Sequence, residues 1–286
     1  MKWHIPAKTF LLGEYAALAG ASAILVTTTP SFEVELIADN ELRGIHPDSP
    51  AGRWWAYVNL PHGLAWHDPY AGRGGVGASS AQFLGAYLAS CYVTHIEPEH
   101  QAMLNAYYHC AWEGQGLRPS GYDLLAQSLH QCVYINREQV IMTCYDWPFD
   151  DISFLLLHSG QKLATHHHLQ MAKLPSAIQE LSAVVDEAKE AFAEKNSGAL
   201  INAINAYQDH LVRLNLSADY TQQQISQLKL NSKILAAKGC GAMGADVFLL
   251  IMPATELDSQ AENLAEQGWT ILANSNSLYN GPKLIK

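Results

Sequence analysis

The segment GRGGVGASSAQFLGAYLAS, residues 72–90, most constrains the fold of this chain, because glycine, alanine and serine stand at the start of an apolar, helix-like pattern. Glycine allows the backbone a positive φ and a close approach to a ligand. The first turn of a helix leaves N–H groups without intrahelical partners, and these groups and the helix dipole favour a bound anion. The segment therefore predicts a helix whose first turn can meet a phosphate, unless the loop serves only to turn the chain and cap the helix.

The same segment departs from the two commonest nucleotide-binding loops. It lacks the Gly-Lys-Ser/Thr ending of a Walker A motif, and it is not a GxGxxG sequence followed by an acidic ribose-binding residue. Its function therefore has to be inferred together with other segments.

The length and charge of the chain limit the classes of protein that it can belong to. It has 286 residues, of which 49% are hydrophobic, enough for one large core or two moderate ones. We expect an α+β protein with two lobes, 1–150 and 151–286, because DWPFDD (146–151) interrupts the pattern near the middle. Lys and Arg number 17 against 27 Asp and Glu, so the net charge is −10. A broad basic surface for nucleic acid or an anionic membrane is not expected.

Cysteine usage and hydropathy indicate the compartment. The five cysteines are odd in number and lack CxxC spacing, which favours small core residues in a reducing compartment over disulfides or a zinc site. The apolar stretch Phe10–Val26 is similar in composition to a signal peptide, but Glu14 interrupts it. No stretch has the roughly 20 apolar residues that a membrane span needs. We therefore expect a soluble, cytoplasmic protein.

Strand patterns dominate the beginning of the chain, and helical periodicity follows. Strands are predicted at 2–13, 21–29, 32–38, 132–136, 139–144, 152–158, 245–253 and 269–273. Helices are predicted at 77–91, at 97–113, from Ser120 as an N-cap, in two long runs after Pro175, and at 256–267.

Three further segments place charged or small residues in apolar surroundings. PAKTFLLGEYAAL (6–18) has a lone lysine, Lys8, in an apolar strand, and such a lysine favours a charged partner. KGCGAMGADVFLLI (238–251) is a second small-residue loop before an apolar strand. WEGQGLRPSGYDLLAQ (112–127) combines Glu113, Pro-Ser-Gly and Asp123. Taken alone, Glu113 is typical of a solvated helix end, and Asp123 of a first-turn residue that the helix dipole favours.

Together, the four segments resemble, in order and spacing, the signature motifs of the GHMP kinase superfamily, most closely those of phosphomevalonate and mevalonate kinases. The resemblance extends from Pro6 to the final strand. It implies a two-lobed fold, with an N-terminal lobe like domain 2 of ribosomal protein S5 and a ferredoxin-like C-terminal lobe. It also implies an ATP-dependent small-molecule kinase that uses Mg²⁺.

The resemblance implies a role for each matching residue. Lys8 and Asp123 would be catalytic, with Asp123 as base or orienter of the acceptor, and Ser79 and Glu113 would hold Mg²⁺. The residues implied to bind ATP are Gly74, Gly75, Gly77, Ala78, Ser79, Ser80, Gly241 and Gly244. Those implied to bind the acceptor are Glu14, Tyr15, Ser120, Gly121, Thr165, His166 and Asp246.

Two motifs bear on the identity of the acceptor. Gly-Glu-Tyr (13–15) and GAMGAD (241–246) resemble phosphomevalonate kinases, whereas mevalonate kinases usually carry Gly-Glu-His and commonly end the third motif in Cys. HSGQKLATHHHL (158–169) resembles the family segment near the acceptor, although a polar loop would explain its histidines equally well. We expect phosphorylation of phosphomevalonate, in the mevalonate route to isoprenoids, with mevalonate as the second candidate.

Departures from the motifs leave a different class open. Met243 and Ala245 replace glycines in the third loop, and Ala78 replaces a serine in the second. Added side chains limit how closely a backbone approaches a ligand, so the alternative is a GHMP-fold protein that binds ATP or a metabolite without kinase activity. A diphosphomevalonate decarboxylase is less favoured, because its first motif carries Asn. The expected partner is a small hydroxylated or phosphorylated acid, without nucleic acid or membrane, and a homodimer is left open.

Overall fold

The computed structural model describes residues 1–161 and 178–285, and within them the strands form two sheets. The strands of the first sheet are β1 (Lys2–Leu12), β2 (Ala23–Ile37), β3 (Leu42–Arg43), β4 (Gly63–His67), β5 (Cys132–Asn136) and β6 (Ile141–Tyr145). Their order is β3-β4-β2-β5-β6, with β1 paired to β2. The strands of the second sheet are β7 (Ile152–His158), β8 (Ala236–Cys240), β9 (Val247–Pro253) and β10 (Thr270–Asn274), in the order β10-β7-β9-β8.

Strand β2 organises the first sheet. It pairs antiparallel with β1 along its length, with β5 through residues 23–26 and with β4 through residues 33–37. Two strands were expected here, and that expectation is wrong, because β2 continues through Pro30. The pairing with β1 shifts register between Ile5 and Ala7, opposite Pro30. A proline, which has no N–H, is tolerated where the ladder is interrupted.

Helices pack on both sheets. The described helices are α1 (Pro50–Val58), α2 (Ala78–Thr94), α3 (His100–Ala111), α4 (Tyr122–Gln127), α5 (Ile178–Glu194), α6 (Ser197–Arg213), α7 (Asp219–Leu228) and α8 (Leu257–Glu266). Helix α1 was not predicted, although Ser49 caps it by accepting from the Gly52 N–H and Pro50 occupies its first position, a typical helix start.

The start of α4 corrects the prediction that Ser120 is its N-cap. Gly121 takes that position with φ 76°, and a glycine has no side chain with which to cap the helix. A β-carbon on Gly121 would lie 2.5 Å from Leu104 Cδ2, so the chain turns here in a space that only glycine fits. The Ser120 hydroxyl accepts from the Tyr122 N–H instead. This turn sets the direction from which Asp123 enters the site.

One hydrophobic cluster contains side chains of both sheets, including Leu11 and Leu25 of the first and Phe154 and Leu249 of the second. A smaller cluster lies on the other face of the second sheet, where Ile225 of α7 and other helix residues cover Phe248. Strand β9 is therefore buried on both faces, which explains its unbroken apolar run. Because the larger cluster spans both sheets, the division into 1–150 and 151–286 stays a prediction.

The α+β class expected from the sequence is confirmed by the two sheets and their helices. All five cysteines are free, and four of them are buried. In the described ranges, no helix is both long enough and apolar enough to cross a bilayer.

Candidate active site

Lys8 of β1 and Asp123 of α4 form an ion pair, with the lysine Nζ 2.9 Å from the aspartate Oδ1. The side chain of Lys8 is 9% exposed and that of Asp123 is 38% exposed. The lysine also lies 4.9 Å from the ring centroid of Phe10. The expectation that Lys8 has a charged partner is thus confirmed. A buried cation and a carboxylate that reaches solvent are joined at one point, so the carboxylate can meet a ligand from outside.

The glycine-rich loop packs directly on this pair. Gly77, the N-cap of α2, has φ 81°, and a β-carbon there would lie 2.8 Å from Lys8 Cγ and 2.9 Å from its Cε. The Lys8 N–H donates to the Val76 carbonyl at 3.0 Å. Only glycine allows the loop to lie this close to the lysine. The first turn of α2, with its unpaired N–H groups, therefore begins beside the Lys8–Asp123 pair.

Gln127, which the sequence analysis did not single out, joins the loop to β1 and α4. Its side chain is fully buried, and its amide nitrogen donates to the carbonyls of Pro6 (2.8 Å) and Gly77 (3.1 Å). It lies four residues after Asp123, and residues at this spacing share one face of a helix. This spacing was the only feature of the sequence that placed Gln127 near Asp123, and it did not predict that Gln127 donates to the Pro6 and Gly77 carbonyls.

The two serines of α2 have different environments. Ser80 is buried, and its hydroxyl donates to the Gly77 carbonyl at 2.9 Å, so it is used within the loop. Ser79 is exposed, and among the described residues its hydroxyl has no hydrogen-bond partner. Ala78 is the first residue of the helix, and Gly74 is half-buried. Of the two hydroxyls, that of Ser79 is therefore the one accessible to a ligand.

The loop also contacts the third motif. A β-carbon on Gly75 would lie 2.5 Å from Val247 Cγ2 and 2.8 Å from Asp246 Cβ, and one on Gly241 would overlap the Asp246 carboxylate. Gly241 and Gly244 both have positive φ, 90° and 65°. The two small-residue loops predicted from the sequence are therefore neighbours in space, and Asp246, which is 6% exposed, lies between them.

Met243 adopts a conformation that glycine would take more easily. Its φ is 55°, in the left-handed region. Its N–H donates to the Tyr15 hydroxyl at 3.0 Å, and its carbonyl accepts from the Ala218 N–H at 2.9 Å. Burial raises the pKa of Tyr15 to about 12, so its hydroxyl stays protonated at neutral pH. Tyr15 thus holds the third loop, and any contact of Tyr15 with the acceptor stays a prediction.

Glu14 lies in an interior ion pair with Lys238. Lys238 was expected in a loop, but it belongs to β8 and has no exposed surface. The Glu14 side chain is only 7% exposed, and its Oε2 has no hydrogen-bond partner among the described residues. The pair therefore links the turn after β1 to the second sheet. That Glu14 binds the acceptor stays a prediction.

Glu113 follows the end of α3, and its side chain is 79% exposed. Its Oε1 lies 3.3 Å from Nη1 of Arg53 in α1. The described residues contain no group of three His, Cys, Asp or Glu side chains that could hold a metal. Mg²⁺ prefers oxygen ligands and commonly combines one or two carboxylates with waters and substrate phosphates. The Glu113 carboxylate and the Ser79 hydroxyl are oxygen donors of this type, and that the two hold Mg²⁺ together stays a prediction.

Arg73 is a basic residue of the glycine-rich loop, and its charge acts on His158 of the second sheet. Burial, together with the charge of Arg73, lowers the pKa of His158 at the end of β7. The Arg73 guanidinium donates to the Tyr70 carbonyl at 3.0 Å. Arg73 was not among the predicted site residues, although a lone arginine among glycines was a visible signal. The two remaining acceptor candidates, Thr165 and His166, lie outside the described residues.

The fold that carries this arrangement is that of the GHMP kinases. No protein-family model matches the sequence, and none of the curated proteins matches it in sequence either. Among solved structures, the chain is similar to Methanococcus jannaschii mevalonate kinase, with TM-score 0.74 and 15% identity over 96% of this chain and 97% of that one.

Two other structures show the same fold with different ligands. Streptococcus pneumoniae phosphomevalonate kinase, in complex with phosphomevalonate and AMPPNP, has TM-score 0.76 and 15% identity over 96% of this chain and 99% of that one. Lactococcus lactis galactokinase, complexed with galactose, has TM-score 0.74 and 8% identity over 94% of this chain and 92% of that one. These three kinases are named for different substrates, yet their TM-scores to this chain are nearly equal. The fold alone therefore does not identify the acceptor.

Proposed function

We propose that this chain is an ATP-dependent small-molecule kinase whose acceptor is phosphomevalonate. The observation that carries the proposal is the Lys8–Asp123 ion pair, held against the start of α2 by the close contact of Gly77 with Lys8. Phosphoryl transfer asks a protein mainly to position the reactants and to stabilise charge on the transferring group. A carboxylate, a cation and a helix N-terminus at one point supply these needs.

Asp123 is the residue that meets the acceptor. Its Oδ1 is bound to Lys8, and its side chain is partly exposed, so Oδ2 is available to orient the acceptor hydroxyl and to take its proton. Lys8 fixes the carboxylate in this position and places a positive charge beside the oxygen that attacks. The hydrogen bond from Gln127 to the Gly77 carbonyl, together with the close packing of Gly77 on Lys8, holds the loop against the lysine.

The glycine-rich loop is the nucleotide's phosphate site. The N–H groups of the first turn of α2 and the Ser79 hydroxyl donate to phosphate oxygens, and the helix dipole favours their charge. The third loop, through Asp246, closes the other side of this space. Ser79 and Glu113 would hold Mg²⁺, which when bound neutralises charge on the phosphates.

The preference for phosphomevalonate rests on two motifs and one similar structure. Tyr15 and Asp246 occupy the motif positions that resemble phosphomevalonate kinases, and the streptococcal enzyme of that name has the same fold. Mevalonate is the second acceptor in order of preference.

One observation favours a second candidate function, a protein that binds a nucleotide or metabolite without catalysis. Met243 holds a left-handed conformation at a position where the family has glycine, and its side chain stands in the third loop. The retention of Lys8 and Asp123 in contact argues against this candidate, because a binding protein has little need for the pair.

The test is ADP release from Mg-ATP by the purified protein, with mevalonate, phosphomevalonate, homoserine and galactose in parallel. We expect turnover with phosphomevalonate above the ATPase background and little with galactose. Turnover with mevalonate alone would show that the acceptor is mevalonate and not phosphomevalonate, and it would still support the kinase activity. AMPPNP binding without turnover of any acceptor would instead favour the binding protein.

A further inference from the structure

A cavity of about 350 Å³ is lined in part by Ser120, one of the residues predicted to bind the acceptor. Its walls are residues 17–20, which follow β1, residues 118–120, which precede α4, and the side chains of Arg137 and Glu138. One wall thus begins two residues after Tyr15, and another ends at Ser120, three residues before Asp123. The cavity is therefore built from the two segments that lead into the candidate acceptor site.

Arg118 brings an uncommitted positive charge to this cavity. Its guanidinium carbon lies 4.4 Å from the ring centroid of Tyr108, a stacked cation–π contact. Across residues 1–161 and 178–285, no carboxylate forms an ion pair with Arg118, and no acceptor receives its N–H groups. A guanidinium stacked on a ring keeps the donors at its edge free, in the fork that matches carboxylate and phosphate oxygens.

Arg137, by contrast, is committed to the protein. Its Nη1 donates to the Tyr108 hydroxyl at 2.7 Å and to the Ser120 carbonyl at 2.8 Å. These bonds hold the ring on which Arg118 stacks and fix the backbone that leads to α4. Glu138 is the third charged side chain of the lining, so two arginines and one glutamate leave one positive charge in excess. The lining is suited to one anionic group.

We propose that this cavity binds an anionic group of the acceptor, and that Arg118 is the residue that selects acidic acceptors over neutral ones such as sugars. The inference rests on the proposed kinase function, which it deepens by naming the class of acceptor and the side chain that recognises it. The shared chemistry is a carboxylate or phosphate oxygen. Mevalonate carries only the carboxylate, whereas phosphomevalonate carries both groups, so the two acids distinguish the sources.

The test is calorimetric binding of phosphomevalonate, mevalonate and galactose to the full chain and to its Arg118→Gln variant, in the presence of AMPPNP. The matched control is Arg43→Gln, since Arg43 is an exposed arginine of β3, outside the cavity lining, that pairs with Asp39 and Glu41. Loss of one charge-assisted hydrogen bond should weaken binding of the acid on the order of ten- to a hundredfold. AMPPNP affinity and Tm should not change.

Each outcome decides the inference. Equal weakening of both acids supports a carboxylate in the cavity, and weakening of phosphomevalonate alone supports a phosphate. Unchanged binding of both acids by Arg118→Gln, no binding of either acid by the wild type, or equal loss in Arg43→Gln would overturn it. The proposed function fails separately: if the acids bind through Arg118 but no ADP is released, the kinase is wrong, and the cavity is a site for the anionic group of a bound acid that is not an acceptor.

Discussion

Gly77 and Lys8 lie so close that a β-carbon on the glycine would come within 2.8 Å of the lysine Cγ. The glycine-rich loop and the strand that bears Lys8 are therefore one structural unit. This contact is what allows the first turn of α2 to begin beside the Lys8–Asp123 pair. The proposed function depends on this proximity, so the contact between Gly77 and Lys8 is the first to test by mutation.

Replacing Gly77 with Ala should lower Tm and weaken AMPPNP binding at least tenfold. Alanine at positive φ costs about 1 kcal/mol, and the methyl group also pushes the loop away from Lys8. Gly72→Ala is the control, because Gly72 has φ 78° in the same loop but open space around its β-carbon position. If the two variants lose stability and nucleotide affinity equally, backbone strain alone explains the effect, and the contact with Lys8 is unimportant.

Replacing Gln127 with Ala should destabilise the fold by about 1–3 kcal/mol, because the carbonyls of Pro6 and Gly77 both lose a buried donor. Urea unfolding measures the change. Gln101→Ala is the matched variant, since Gln101 is exposed on α3 and, within residues 1–161 and 178–285, its side chain bonds only Asn105. This variant should stay within about 0.5 kcal/mol of the wild type. Equal effects in the two variants would mean that Gln127 does not hold the loop to β1.

Lys238→Met should cost about 3–5 kcal/mol, because it leaves the Glu14 carboxylate buried without its cation. The double variant Glu14→Leu with Lys238→Met should recover most of this loss, since an apolar pair avoids the desolvation of both charges. Denaturant unfolding of the two variants gives the comparison. A double variant as unstable as the single one would show that the pair does more than neutralise a buried charge.

Arg53→Gln should lower the Mg²⁺ concentration needed for half-maximal ADP release. Arg53 holds Glu113 in an exposed ion pair, and pairs of this kind contribute about 0.2–1 kcal/mol. Release of Glu113 therefore favours a metal up to about fivefold. Titration with Mg²⁺ at fixed ATP measures the shift, with Arg43→Gln as control. A higher Mg²⁺ requirement in Arg53→Gln would contradict a role for Glu113 in holding the ion.

The sequence patterns predicted much of the fold. The helix after the glycine loop and the paired state of Lys8 were predictable, because one depends on local spacing and the other on a charge in apolar surroundings. The closeness of the two small-residue loops was implied only by the resemblance to the kinase motifs. The continuity of β2 through Pro30 was not predicted, because it depends on the register of the partner strand β1.

Tertiary partners were beyond the reach of the sequence. Gln127 bonds Pro6 across 121 residues and Lys238 bonds Glu14 across 224, and neither spacing leaves a local signal. The stacking of Arg118 on Tyr108, ten residues earlier in the chain, likewise has no local sequence pattern. Helix α1, by contrast, has a local start signal, with Ser49 as its N-cap and Pro50 as its first residue, but the sequence analysis did not predict this helix.

The most direct test of the central claim is single-turnover ADP formation by Asp123→Asn with phosphomevalonate and Mg-ATP. Asn keeps the shape of the side chain but removes the carboxylate that pairs with Lys8 and that we propose to meet the acceptor. The control is Asp258→Asn, an exposed aspartate in the first turn of α8. We predict a rate about a hundredfold or more below the wild type, with unchanged AMPPNP affinity and an unchanged fold by circular dichroism. A rate for Asp123→Asn within a few-fold of both the wild type and the control would contradict the account.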